Sequence, residues 1–219
     1  MKDQEYRISL DLQWDLDDLH IFPHTYSQVY YFRYSVYPHD DENTIDRIKY
    51  AYSQYPWKGG YSAVNFYNRL KYTIPKKQRP QIVSIQMASP GWLLLTLIPA
   101  VAFAVARSVK SVCSSIKQVN ATYSDIQKEI YERKLNKLDL AKQELDLDQK
   151  QLEFEKENQQ FILDSSKQIA QLLGFESLQA MDDQTGSRYK TLKILLSYYR
   201  RIRTISYMQN NGKIFLPEE

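Results

Sequence analysis

"SPGWLLLTLIPAVAFAVARSVK", Ser89 to Lys110, is the stretch on which the architecture turns, because no Asp, Glu, Lys or Arg stands between Arg79 and Arg107. Read as one helix it is a candidate membrane span. Read as two elements it is a buried strand feeding a helix. The apolar run from Trp92 to Ala106 reaches about 22 Å at the α-helical rise, short of the roughly 30 Å hydrocarbon core. Pro90 and Gly91 occupy the two central positions that a type II turn favours, proline presetting φ and glycine supplying a positive φ. Such a turn predicts a hairpin, with "QIVSIQMA" as one strand and "WLLLTLI" as its return, buried on both faces. Pro99 then stands where proline is tolerated, at the first turn of a helix. Lys76, Lys77 and Arg79 precede the stretch and Arg107 and Lys110 follow it, so the flanks select no membrane orientation. Strand plus helix is the favoured reading, and a span over residues 92–106 is the alternative.

Downstream of Pro99 the spacing is helical. Val101, Val105, Val109, Val112, Ile116, Val119, Tyr123, Ile126 and Ile130 recur at intervals of three and four, which is a coiled-coil-like seam. Beyond it a row at Leu138, Leu145 and Leu152 is joined by a second at Leu140, Leu147, Phe154 and Phe161. The two rows lie about 200° apart around a helix and so require two partners. A single helix from Ala100 to Leu173 would be about 110 Å long, so a break is expected, near Asn120. Gly174 suits its C-terminal end. The last element, Tyr189 to Met208, places Leu192, Leu195, Leu196, Tyr199 and Ile202 on one face.

Upstream, "YRISLDL" alternates apolar Tyr6, Ile8, Leu10 and Leu12 with polar residues, the signature of a strand with one wet face. "DLDDLHIFPH" reads as a short helical turn or loop. "SQVYYFRYSVY", aromatic and β-branched up to Pro38, reads as a second strand. Helices are expected from Asn43 or Thr44 to about Tyr55 and from Ala63 to Tyr72. The chain is thus read as α+β. A small mixed sheet with helices occupies a tyrosine-rich unit over 1–98, a long coiled-coil-like helical region follows over 99–174, and a basic amphipathic helix and tail occupy 175–219.

Composition restricts the function classes. The 219 residues carry a net charge of +3, but residues 118–186 hold 8 basic and 14 acidic groups while residues 187–219 hold 7 and 2. Fields act locally at the Debye length, so that asymmetry matters more than the total. The lone Cys113 cannot form an internal disulfide, and the N-terminus is charged where a signal peptide would be apolar. Both favour a cytoplasmic location, with inner-membrane association as the alternative.

No motif announces catalysis. His20 and His24 have the i, i+4 spacing of helical metal ligands, but Pro23 between them argues against one continuous helix, and no metal or other cofactor is assigned. Cys113 lies in the seam as a small apolar side chain. Ser89 and "WKGG" are turn residues without the context of a nucleophile or a phosphate loop. Twelve of the eighteen tyrosines fall in the first 72 residues, a composition that suits a core or a protein interface better than base stacking.

Two surfaces remain as candidates. The seam residues Val105, Val109, Val112, Ile116, Val119, Tyr123, Ile126 and Ile130 would close a homo-oligomer, a dimer being the simplest form. Lys190, Lys193, Arg200, Arg201 and Arg203 would bind a polyanion or an acidic partner, either the acidic segment of the same chain or an external nucleic acid or anionic lipid. The expected function is a non-enzymatic, self-associating assembly or adaptor protein that also engages another protein. The alternatives are a membrane-associated effector or pore component, as in a bacterial defence system, and a nucleic-acid-binding accessory protein.

Overall fold

The computed structural model describes residues 4–54, 61–140 and 147–217, with side chains over 4–54, 62–135 and 157–217. The opening stretch divides into a hairpin and a helix, as the strand-plus-helix reading expects. Strand β2 (Gln81–Gln86) pairs with β3 (Gly91–Leu97), and Pro99 opens helix α4 (Pro99–Ser114) at its first position. No helix among the described residues is long and apolar enough to cross a membrane. The span over 92–106 is therefore overturned: Trp92 to Leu97 are in a sheet, with Leu93, Leu95 and Leu97 buried while the residues between them stay half-buried. That alternation also replaces the expected burial on both faces. The hairpin does not use a type II turn either, because the Ser89–Pro90 bond is cis and Gly91 has no positive φ. Gly91 is needed for close approach instead. A Cβ there would meet the carbonyl oxygens of Gln86 and Ala88, the latter at 2.7 Å.

Strand β1 (Gln4–Leu10) forms as its alternation predicts up to Leu10, Leu12 lying beyond it and exposed, and pairs antiparallel with β3 along its whole length, Gln4 opposite Leu97 through Leu10 opposite Gly91. On its other side lies β4 (Ile214–Phe215), from the C-terminal tail. The order is β2-β3-β1-β4, antiparallel at every pairing. The α+β class holds, but the sheet is neither mixed nor confined to the N-terminal segment.

The largest departure from the sequence reading is helix α1 (Leu16–Ser35), which occupies the residues read as a second strand. Asp15 caps it in a capping box with Asp18, each side chain accepting from the other's backbone N–H. Pro23 lies inside it, in the half of the helix nearer the surface. The following residues, Thr25, Tyr26 and Gln28 to Ser35, are buried on every side. A helix covered all round shows no polar stripe, and its aromatic and β-branched content then imitates a buried strand.

Helices α2 (Glu42–Ser53, capped by Asp41) and α3 (Tyr61–Thr73) pack on one another, and α3 also packs on α1. A 3₁₀ turn, Lys76–Gln78, leads into β2. The long helix breaks at Ser115, five residues before Asn120, between α4 and α5 (Ile116–Leu140). The Ser114 and Ser115 hydroxyls both donate back to the Ser111 carbonyl, a local bonding that bends helices. Helix α6 (Leu147–Leu172) packs against α5. Both apolar rows between Leu138 and Phe154 fall on residues whose side chains lie outside the described part, while Phe161, the last residue of the second row, is half-buried against the core. After α7 (Gln179–Thr185), helix α8 (Arg188–Asn210) runs through the middle of the molecule, against α1, α4, α6 and α7. One contiguous apolar core joins β1 and β3 to α1 through α8.

Candidate interaction surfaces

The seam points inward. Val105, Val109, Val112 and Val119 are fully enclosed and Ile126 nearly so, while Ile116, Tyr123 and Ile130 pack half-buried against the same core. Their cover is the chain's own helices: α8 lies along α4, and α6 along α5. Periodicity of three and four records that a helix has a partner, not whose helix it is. Cys113, half-buried, donates from Sγ to the Ser206 carbonyl at 3.5 Å, and burial pushes its thiol pKa up. That fits an apolar filler rather than a nucleophile.

The basic residues of α8 part company. Arg201 is directed inward: Nε donates to Gln28 Oε1 at 2.6 Å, Nη1 donates to the Ser197 carbonyl and hydroxyl, and the guanidinium lies 3.8 Å from the Tyr67 ring centroid. Burial lowers its pKa. Lys193 is half-buried with its ammonium 4.1 Å over the Tyr189 ring, and its pKa is lowered by burial and then by neighbouring Lys134. Lys190 is half-buried. Arg200 is exposed and donates to Tyr123 Oη at 3.2 Å. Arg203 stands 6.0 Å from the Tyr199 ring centroid. Tyr123 and Tyr199 themselves pack at 5.0 Å, and Tyr199 donates to Asn120. Among the described residues, the ion pairs are Lys128–Glu132, Arg133–Glu129, Arg188–Asp182 and Lys213–Asp18, none of which involves Arg200, Arg201 or Arg203. The acidic groups Asp125, Glu129, Glu157 and Asp164 instead line a groove between α5 and α6.

A buried cation that the charge pattern did not mark is Arg33 on α1. Nε donates to Tyr198 Oη at 3.1 Å, Nη2 donates to Ser108 Oγ and to the Leu173 carbonyl at 3.1 Å, and the guanidinium lies 3.5 Å from the Phe175 ring centroid. It ties α1 to α4, α8 and the C-terminal end of α6, where unsatisfied carbonyls carry partial negative charge. Burial lowers its pKa, and the Tyr198 hydroxyl opposes that shift. His20 and His24 do share a face, since α1 continues through Pro23. Their rings stack at 5.8 Å and His24 pairs with Gln28 at 2.9 Å. No group of three His, Cys, Asp or Glu able to hold a metal occurs among the described residues.

The third surface is the β2 edge. Ile82 stands opposite Leu95 and Ile85 opposite Leu93, so both isoleucines lie on the sheet face whose other strands are covered by helices. Yet Ile82 is 58% exposed and Ile85 45%, while Leu93 and Leu95 are buried. The helical layer therefore stops short of β2. Val83 lies in a bulge, where the register shifts between Ile82 and Ser84, and it is 50% exposed, with Met87 at 47%. Natural edge strands are usually guarded by brevity, lysine or proline. The opposite edge follows that rule with the two-residue β4. Strand β2 has the bulge alone, since no charge and no proline occur from Gln81 to Ser89. The sequence suggested a strand here but carried no sign that it would lie at an edge. Comparison with protein-family models, with curated proteins and with solved structures finds no match.

Proposed function

We propose that the chain is a non-enzymatic assembly or adaptor protein that works through protein–protein contacts, and that its self-association is antiparallel pairing of the β2 edges of two copies. The observation that carries this reading is the uncovered edge: a six-residue strand with one row of backbone donors and acceptors unused by β3 and with Ile82, Val83, Ile85 and Met87 in solvent. Strand addition at such an edge supplies hydrogen bonds from the main chain and selectivity from alternate side chains. A twofold axis through β2 would join two four-stranded sheets into one, closing the assembly as a dimer.

Charge supports a second copy as the occupant. The neutral run from Gln81 to Ser89 sets no like charges opposite one another. Antiparallel pairing also places the basic connector of one copy, Lys76, Lys77 and Arg79, beside the hairpin tip of the other. At that tip the Asp11 carboxylate accepts from Ser89 and from the Leu12 N–H, and those bonds hold it below the usual carboxylate range. Two short strands and eight apolar side chains bury an area at the low end of specific interfaces, below about 1,200 Å². Association is therefore expected to be weak and reversible, in the micromolar range. Sedimentation equilibrium tests it: the wild-type chain should pass from monomer to dimer with concentration, and Ile82→Lys/Ile85→Lys should remain monomeric with an unchanged circular dichroism spectrum. A wild-type chain that stays monomeric throughout, or a double-lysine variant that dimerises equally well, contradicts the reading.

A further inference from the structure

We infer that the outer face of α8, with Arg200, Arg203 and Tyr207, is a binding site for the phosphates and bases of a single-stranded nucleic acid. Helical geometry puts these three residues on one face, at i, i+3 and i+7. Neither arginine lies in an ion pair among the described residues, so each guanidinium keeps donors for an oxyanion. Arg200 is held in place by Tyr123 Oη, and Arg203 rests near the Tyr199 ring. Tyr123 and Tyr199 pack on one another, and Tyr199 is fixed by its bond to Asn120. The arginines are thus propped by a tyrosine pair that is itself anchored between α5 and α8. Tyr207, 48% exposed, offers a ring face beside them. Phosphate contacts from arginine with stacking on an adjacent aromatic is the chemistry by which sequence-tolerant single-strand binders work.

A membrane surface is the other polyanion such cations could meet, and the packing of α8 disfavours it. Interfacial helices bury an apolar face among lipid chains. The apolar face of α8, with Leu192, Leu195, Leu196, Ile202 and Ile205, is already enclosed by the chain's own core. The face that remains free carries Arg200, Thr204, Tyr207 and Asn210, with no aliphatic residue to insert.

Fluorescence anisotropy with a labelled oligothymidylate is the test, run beside vesicles of phosphatidylcholine and phosphatidylserine. Two phosphate contacts give a salt slope of about −1.4, so affinity should fall about sevenfold between roughly 50 and 200 mM salt. Arg200→Gln/Arg203→Gln should weaken binding about tenfold or more at the lower salt and flatten the slope. Tyr207→Ala should weaken it by about fivefold or more with the slope unchanged, and Tyr207→Phe should retain it. All three positions are outside the apolar core, so the variants should fold. The inference is overturned if the oligonucleotide fails to bind at the lower salt, if the double-glutamine variant binds as the wild type does, or if only the vesicles bind.

Discussion

Arg33 shows how a single side chain can decide the packing of four helices. Its charge is buried without a carboxylate, and hydroxyl and carbonyl oxygens together with the Phe175 ring replace the water it gave up. Arg33→Met removes the desolvation cost but strands Tyr198 Oη and the end of α6, and should cost about 1–3 kcal/mol. Arg33→Lys keeps the charge and loses the planar fork that reaches three acceptors at once, so urea denaturation should rank it below the methionine variant. A lysine variant at least as stable as the methionine one would contradict that role. The buried tyrosines make a second prediction. Burial raises the phenol pKa of Tyr67 to about 12 and pushes those of Tyr6, Tyr26 and Tyr52 up as well. A raised phenol pKa means that the fold requires the neutral form. The stability it contributes is complete below the unfolded value of about 10 and is lost as pH rises through the folded one. Phenolate absorbance should therefore lag free tyrosine and appear together with loss of the circular dichroism signal above about pH 10. Tyrosines that all ionise near the ordinary value in a chain still folded would refute it. The inward direction of half-buried Arg201 is legible in the sequence: it stands seven residues after Ile194 and four before Ile205, both buried, on one helical stripe.

Among the elements, alternation and helical periodicity marked β1, α4, α5 and α8 and failed at α1. Strand β1 followed from alternation, the β2–β3 hairpin from the break at Pro90–Gly91, although the type II turn expected there is not the one formed, and α4 from Pro99. Helix α1 did not, because burial on all sides of its second half, from Thr25 to Ser35, removes the amphipathic stripe and leaves only composition, which favours a strand. Its usable signal was Asp15 with Asp18 three residues on, a capping box ahead of Pro23. The seam was legible as a buried stripe, and its partner was not, since α6 and α8 supply an apolar surface equivalent to a second copy's. Val112→Asp would place an unpaired charge in this core at a cost of several kcal/mol, on the order of half a domain's stability. Thermal unfolding should show the variant grossly destabilised, with Ile116→Asp, at a half-buried position, affected less. A Val112→Asp chain as stable as the wild type would mean that the stripe is not core. Gly91→Ala should likewise weaken the hairpin, because its methyl would meet two backbone oxygens rather than a side chain able to move. A melting temperature equal to that of the wild type would show that the turn can relax.

At the scale of the whole molecule, the sheet collects strands from both ends of the chain and from its middle. Tyr6 Oη donates to the Pro217 carbonyl and the Asp11 N–H to that of Lys213, so the tail closes one side of β1. Two paired residues are too few to read as a strand in the sequence, where they fall within the C-terminal tail. That closure leaves β2 as the long open edge, and the assembly account rests on it. Amide hydrogen exchange measured across protein concentration, from monomer to dimer, tests this most directly, because pairing protects the edge-facing amides themselves. The account predicts that β2 amides from Gln81 to Gln86 slow as concentration rises while those of α2 and α8 do not change. Dimer formation with β2 exchange independent of concentration would contradict it.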